Sequence, residues 1–106
     1  MTIFKPIPMT REQKIIQIFA QNLKRLRLDR GYSQHHLCEV SLISRTTIGF
    51  LEAGRGNPPL TTLMALAHAL EVSIDDLTYT KSESQIHRLK RRLQFESFLK
   101  SNAPMK

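Results

Sequence analysis

Residues 33–54 constrain this chain more than any other stretch, because they start two helices and leave neither room to grow. Ser33 suits an N-cap, its side-chain oxygen accepting an orphan backbone N–H, and opens a short helix with Leu37 and Val40 turned inward. That helix must end by residues 41–43, since Ser44 restarts the chain as another N-cap. The second helix carries Ile48 and Leu51 at i, i+3 and stops at Gly54. Two short helices joined by a turn of three or four residues make a recognised supersecondary unit, which needs further helices to bury its apolar sides.

The flanking sequence supplies them. Thr10 with Gln13 has the spacing of a capping box, and Ile15, Ile16, Phe19, Leu23 and Leu26 then line one face of a helix over about residues 11–30, stopped by Gly31. Residues 55–59 form a loop, because the successive prolines Pro58 and Pro59 do not fit a helix interior. Leu60, Leu63, Leu66, Ala67 and Leu70 define a fourth helix, and Ser73 with Asp76 caps a last turn holding Ile74 and Leu77. The expectation is an all-α domain of five helices over residues 10–77, preceded by an extended arm, residues 1–9, that contains Pro6 and Pro8.

Beyond it, residues 78–84 read as a polar linker, and Ser82 with Gln85 opens a sixth helix over residues 85–101, before a tail at 102–106. At 100° per residue Ile86, Leu89 and Leu93 share one side of this helix, while Phe95, Phe98 and Leu99 cluster nearly opposite. One helix folding back on a small domain cannot bury both faces. All six residues are candidates for oligomerisation, with a second chain covering at least one face.

Composition narrows the function classes. The chain has 106 residues and a formal charge of +7, which favours an anionic partner such as nucleic acid. That charge is uneven: residues 1–32 and 78–106 each carry +5, whereas residues 33–77 carry −3. No apolar run approaches the roughly 18 residues of a membrane span, and the prolines of the arm do not suit a signal peptide. A lone cysteine, Cys38, excludes an intramolecular disulfide framework and leaves too few thiolates for the usual structural zinc site. His35 and Cys38 stand at i, i+3, but no third ligand is evident and no metal is expected. No Gly-rich phosphate loop or nucleophile signature is present, so neither an enzyme nor a cofactor is expected. The chain reads as a soluble protein of the reducing, nucleoid-bearing cytoplasm.

The strings FAQNLKRLRLDRGYSQ (residues 19–34) and LCEVSLISRTTIGFLEAG (37–54), followed by Asn57-Pro58 and on to Leu77, resemble the helix-turn-helix domain of the phage lambda repressor and Cro class, the XRE-type regulators. The resemblance covers about residues 17–77, with the motif itself near 34–53. It implies sequence-specific binding of double-stranded DNA, in a family that includes prokaryotic and phage transcription regulators, controllers of restriction-modification operons and antitoxins. It also implies site residues. Gln34 matches a phosphate-binding glutamine, and Ser44, Arg45, Thr46 and Phe50 match DNA-contacting positions of the recognition helix, with Thr47 able to share that work. Arg55 and Asn57 match backbone-contacting positions of the following loop. Arg27 and Glu52 fall where the family pairs an arginine and a glutamate between the first and third helices.

Arg45 is the main candidate for base reading, because its guanidinium fork fits guanine O6 and N7; the alternative is a phosphate contact. Three residues depart from the family pattern. Phe50 replaces a polar or basic residue, and either packs on a thymine methyl or is covered by protein. Gly49 weakens a helix interior by about 1 kcal/mol relative to alanine. Leu42 stands where glycine is common in the turn, and a leucine with positive φ is strained. The basic run 87–92 is open to two readings, a second nucleic-acid contact or the solvated side of a dimerisation helix. The expected function is a homodimeric, sequence-specific DNA-binding regulator, a repressor or autoregulator. The rival is an antitoxin or adaptor that captures a partner protein through its last helix.

Overall fold

A computed structural model describes residues 7–101, so the expectations for residues 1–6 and 102–106 lie outside the described residues. Six helices follow one another: α1 (Arg11–Asp29), α2 (Gln34–Ser41), α3 (Arg45–Glu52), α4 (Leu60–Leu70), α5 (Ile74–Thr78) and α6 (Lys81–Ser101). Among the described residues there is no strand, and no helix is long and apolar enough to cross a membrane.

Side-chain caps set most of the helix starts. The Thr10 and Gln13 side chains accept each other's backbone N–H at 3.1 and 2.8 Å, the capping box that starts α1. Ser33, Ser44 and Ser73 cap α2, α3 and α5 in the same way, each accepting an N–H three residues on at 2.9 to 3.1 Å. The first five helices then close around one core of Phe19, Leu23, Leu37, Ile48, Leu51, Leu66, Ala67, Leu70 and Leu77. Six side chains, Leu23, Leu37, Ile48, Leu66, Leu70 and Leu77, are fully buried, each contributing roughly 1.5–3 kcal/mol of transfer free energy. Helix α1 packs on α3 and α5, α2 packs on α3 and α4, and α6 packs on α5.

Asn22 on α1 is buried within this apolar set and ties the first helix to the end of α5. Its Nδ2 donates to the carbonyls of Leu77 (3.0 Å) and Tyr79 (2.6 Å), satisfying acceptors that the end of α5 would otherwise leave unpaired.

The structure corrects three details of the expected pattern. Val40 and Leu60 are not inward: they are exposed, at the edges of helices too short for a three- or four-residue spacing to separate core from rim. The polar linker nearly vanishes, because α6 starts at Lys81 rather than 85. Thr80 and Glu83, not Ser82 and Gln85, form the capping box, with reciprocal bonds of 3.1 and 3.2 Å. The early start brings Ser84 into α6, where it is buried and donates to Asp76 Oδ1 at 2.8 Å.

Candidate nucleic-acid interface

The turn between α2 and α3 is held by backbone geometry. Leu42 adopts the left-handed conformation (φ 62°, ψ 18°) in which its N–H reaches the Cys38 carbonyl at 2.9 Å. Its side chain is 89% exposed, so no packing offsets the backbone strain. Ile43 N–H donates to Ser41 Oγ (3.1 Å), and Ser44 then starts α3. The Ser44 hydroxyl also donates to Thr47 Oγ1 at 2.7 Å, so these two hydroxyls act first in capping the helix.

Helix α3 buries Ile48 and Leu51 and turns Arg45, Thr46 and Phe50 to solvent. Phe50 is left 49% exposed by the described residues. A Cβ added at Gly49 would meet nothing within 4 Å, so no contact inside the molecule requires glycine there. After α3, Gly54 (φ 77°) reverses the chain, and a Cβ there would come within 2.6 Å of Gln17 Nε2. Arg55 and Asn57 follow, exposed on the loop. Among the described residues, neither Arg45 nor Arg55 has an acidic partner. Phe50, Arg55, Pro58 and Pro59 border a shallow cleft of about 210 Å³ beside α3.

A buried charge pair holds α3 at its angle. Arg27 of α1 meets Glu52 of α3 in a fork, Nε to Oε2 at 2.8 Å and Nη2 to Oε1 at 2.9 Å, while Nη1 donates to the Tyr32 carbonyl at 2.7 Å. The hydrogen bonds to Glu52 raise the Arg27 pKa; burial lowers it, and the nearby carboxylate charge raises it again, so the guanidinium stays charged throughout the accessible range. Glu52 Oε1 also accepts a longer bond, 3.5 Å, from Gln34 Nε2. One carboxylate thus links the first helix, the start of the second and the end of the third.

Four residues of the basic run on α6 are engaged within the chain. Arg88 pairs with Asp76, while Arg91 and His87 lie 3.4 and 3.3 Å from Asp75 Oδ2, and Arg92 pairs with Glu96. The His87 ring stacks on Tyr79 with centroids 5.2 Å apart. This face therefore points at α5, and Ile86, Leu89 and Leu93 point away from the body, each more than half exposed. Phe95, Phe98 and Leu99 are also more than half exposed. On α2, His35 pairs with Glu39 at 2.7 Å and Cys38 packs partly against the core. Among the described residues no group of three or more potential metal ligands exists.

Sequence reasoning missed Asn22 as a structural residue and missed that Asp75 and Asp76, the latter expected only as a capping partner, hold α6. A polar side chain three residues after Phe19 and next to Leu23, on the buried stripe of α1, was the available signal for Asn22.

Residues 23–77 match the model of the helix-turn-helix family HTH_3. The chain belongs to this helix-turn-helix family. Over 60 residues it is 38% identical to the SPbeta prophage-derived uncharacterized HTH-type transcriptional regulator YonR of Bacillus subtilis (strain 168), an alignment covering 57% of this chain and 56% of YonR. Over 63 residues it is 40% identical to the control protein C.SmaI of Serratia marcescens, covering 59% of this chain and 75% of C.SmaI. Among solved structures it is similar to the restriction-modification controller protein C.AhdI from Aeromonas hydrophila, with a TM-score of 0.57, 34% identity, and coverage of 58% of this chain and 94% of C.AhdI. These relatives are named as regulators and controllers, not as enzymes. The match spans α2 and α3, the two helices of the motif, and ends at Leu77, ahead of α6.

Proposed function

We propose that this protein is a transcription regulator that binds double-stranded DNA in a sequence-specific manner as a homodimer, acting as a repressor or autoregulator by steric occlusion. The observation that carries this reading is the face of α3. Arg45, Thr46 and Phe50 stand exposed on a helix clamped to the body through Arg27 and Glu52, with Arg55 and Asn57 exposed beside it. Arg45 reads guanine through O6 and N7, Thr46 adds a contact to a base edge or phosphate, and Ser44 and Thr47 set the helix start against the backbone. Gln34, Arg55 and Asn57 hold phosphates on either side. The names of C.SmaI and C.AhdI, a control protein and a restriction-modification controller, support a regulatory role.

Two recognition helices enter successive major grooves about 34 Å apart on a near-palindromic site. The dimer forms through α6, whose Ile86, Leu89 and Leu93 face away from the body and whose orientation is fixed by the ion pairs to α5.

Selection of random duplex DNA on the purified protein at about 150 mM salt, followed by sequencing, tests the proposal. The expected result is an enriched near-palindromic site. Arg45→Ala then flattens preference at one base pair of each half-site, and an equal loss on all sequences would assign Arg45 to phosphate. Folded protein that enriches nothing sinks the DNA-binding reading. Leu93→Asp is expected to give a monomer by light scattering; an intact dimer would place the interface elsewhere.

A further inference from the structure

Phe50 is the single large apolar side chain that α3 turns to solvent, and its surroundings say what would cover it. The cleft it borders is closed on the other sides by Thr47, Arg55, Pro58, Pro59 and Thr62, and its walls are mostly carbon. The two prolines carry no N–H, which removes two backbone donors from the wall, and Thr47 Oγ1 already accepts the Ser44 hydroxyl. Gly56 and Asn57 also line it, yet its wall is mostly carbon, so it favours an apolar occupant. At about 210 Å³ it is smaller than the roughly 300 Å³ at which small-molecule pockets begin.

Its position narrows the occupant further. It lies between α3, which presents Arg45 and Thr46, and the loop that presents Arg55 and Asn57. On the DNA-binding reading, on which this inference rests, that is the gap between base edges and the sugar-phosphate chain. Of the major-groove groups of a pyrimidine that differ between bases, the substituent at C5 lies nearer its own strand's backbone than the one at C4; it is a methyl group in thymine and a hydrogen in cytosine. We infer that Phe50, with Pro58 and Pro59 behind it, is a reader of the pyrimidine C5 methyl group, so that each half-site contains a thymine recognised by its methyl and not by hydrogen bonds. The same contact accepts 5-methylcytosine and not cytosine, which makes binding at that position responsive to cytosine methylation.

The test uses the full chain and the site recovered by selection. Each thymine is replaced in turn by deoxyuridine, which removes the methyl and nothing else, and affinities are measured for the wild type and for Phe50→Ala. One position per half-site is expected to weaken wild-type binding about fourfold, the value of one buried methyl group, with every other exchange below twofold. Phe50→Ala binds thymine and uracil equally at that position and keeps its preference at the base pair read by Arg45. With C·G placed at the same position, methylating cytosine at C5 restores about fourfold for the wild type and nothing for the variant.

Wild-type affinity unchanged by every uracil overturns the inference without any protein variant being needed. So does a Phe50→Ala protein that keeps the wild-type thymine-to-uracil ratio. A folded wild type that retains no duplex of any sequence overturns the DNA-binding reading and this one together, whereas one that selects a site and ignores every methyl overturns this one alone.

Discussion

Leu66 on α4 and Leu89 on α6 are both leucines on amphipathic helices, yet the first is fully buried and the second is 57% exposed. The contrast extends to the two regions they belong to. In the body, helices α1 to α5 meet through carbon, around a core to which each of them contributes. Helix α6 meets the body through charge: Ser84 and Arg88 on Asp76, Arg91 and His87 on Asp75. Exposed ion pairs of this kind are each worth about 0–1 kcal/mol, whereas each core leucine is worth more than that alone. The body should therefore hold its fold without help from α6, which is mounted on it by charge and, on the proposed reading, presents Ile86, Leu89 and Leu93 to a second chain.

The largest effect that would break this division is at the centre of the core. Ile48→Ala is expected to lower stability by about 3 kcal/mol in urea unfolding, since Ile48 is fully buried and belongs to α3. Leu93→Ala, measured at a concentration where the chain is monomeric, is expected to change it by less than about 0.5 kcal/mol. Comparable losses at the two sites would mean that α6 is part of the folding unit.

The next effect separates the one ion pair of the body that is buried from those of α6. The Arg27 and Glu52 side chains are only 9% and 5% exposed, so Glu52→Ala leaves a guanidinium in the interior with no carboxylate, at a cost of about 3 kcal/mol. Arg91→Ala, which removes an exposed partner of Asp75, is expected to cost less than about 1 kcal/mol. A Glu52→Ala protein with wild-type unfolding would show that the fork does not hold α3 to α1.

The same division governs what could be read before any coordinates. Helices α1, α2, α3 and α5 were legible because serine and threonine caps mark their starts and apolar periodicity marks their faces, two independent signals that agree, whereas α4 was marked by the prolines before it and its leucines alone. Resemblance supplied the positions of Arg27 and Glu52, and the structure places them in a fork. The start of α6 was not legible, because Ser82 with Gln85 has the same spacing as Thr80 with Glu83, and only contact with Asp76 decides between them. Periodicity identifies which residues share a side of α6 but not which side meets the body. Its basic run therefore stayed open to two readings, neither of which placed Arg88 and Arg91 against two aspartates a dozen or more residues away. The exposure of Phe50 was undecidable for a related reason: its position on α3 is known from the motif, but the walls that leave it open come from the loop after the helix.

A smaller effect has the opposite sign. Leu42 holds a left-handed conformation with its side chain in water, so Leu42→Gly removes strain without removing packing and is expected to stabilise the body by about 1 kcal/mol. An unchanged midpoint in thermal unfolding would mean that the gain is cancelled by glycine's greater freedom in the unfolded chain.

The smallest effect tests the mounting of α6 itself, through pH. Burial alone would raise the pKa of Asp76. The Ser73 backbone N–H, the Ser84 and Ser73 hydroxyls and the Arg88 charge together outweigh it and lower the carboxyl below the usual aspartate range. A group depressed in the folded state stabilises above its unfolded pKa, near 3.9, and that contribution is lost as pH falls through the folded value. The contacts joining α6 to α5 should accordingly be intact at neutral pH and weaken below about pH 4. Hydrogen exchange, corrected for intrinsic rates, is expected to show the first turns of α6 losing protection in that window while the centre of α1 keeps its own. Asp76→Asn should display at neutral pH the lower α6 protection that the wild type reaches in acid, and change little on further acidification. If α1 and α6 instead lose protection together in both proteins, the helix is released by unfolding of the body and Asp76 is not its latch.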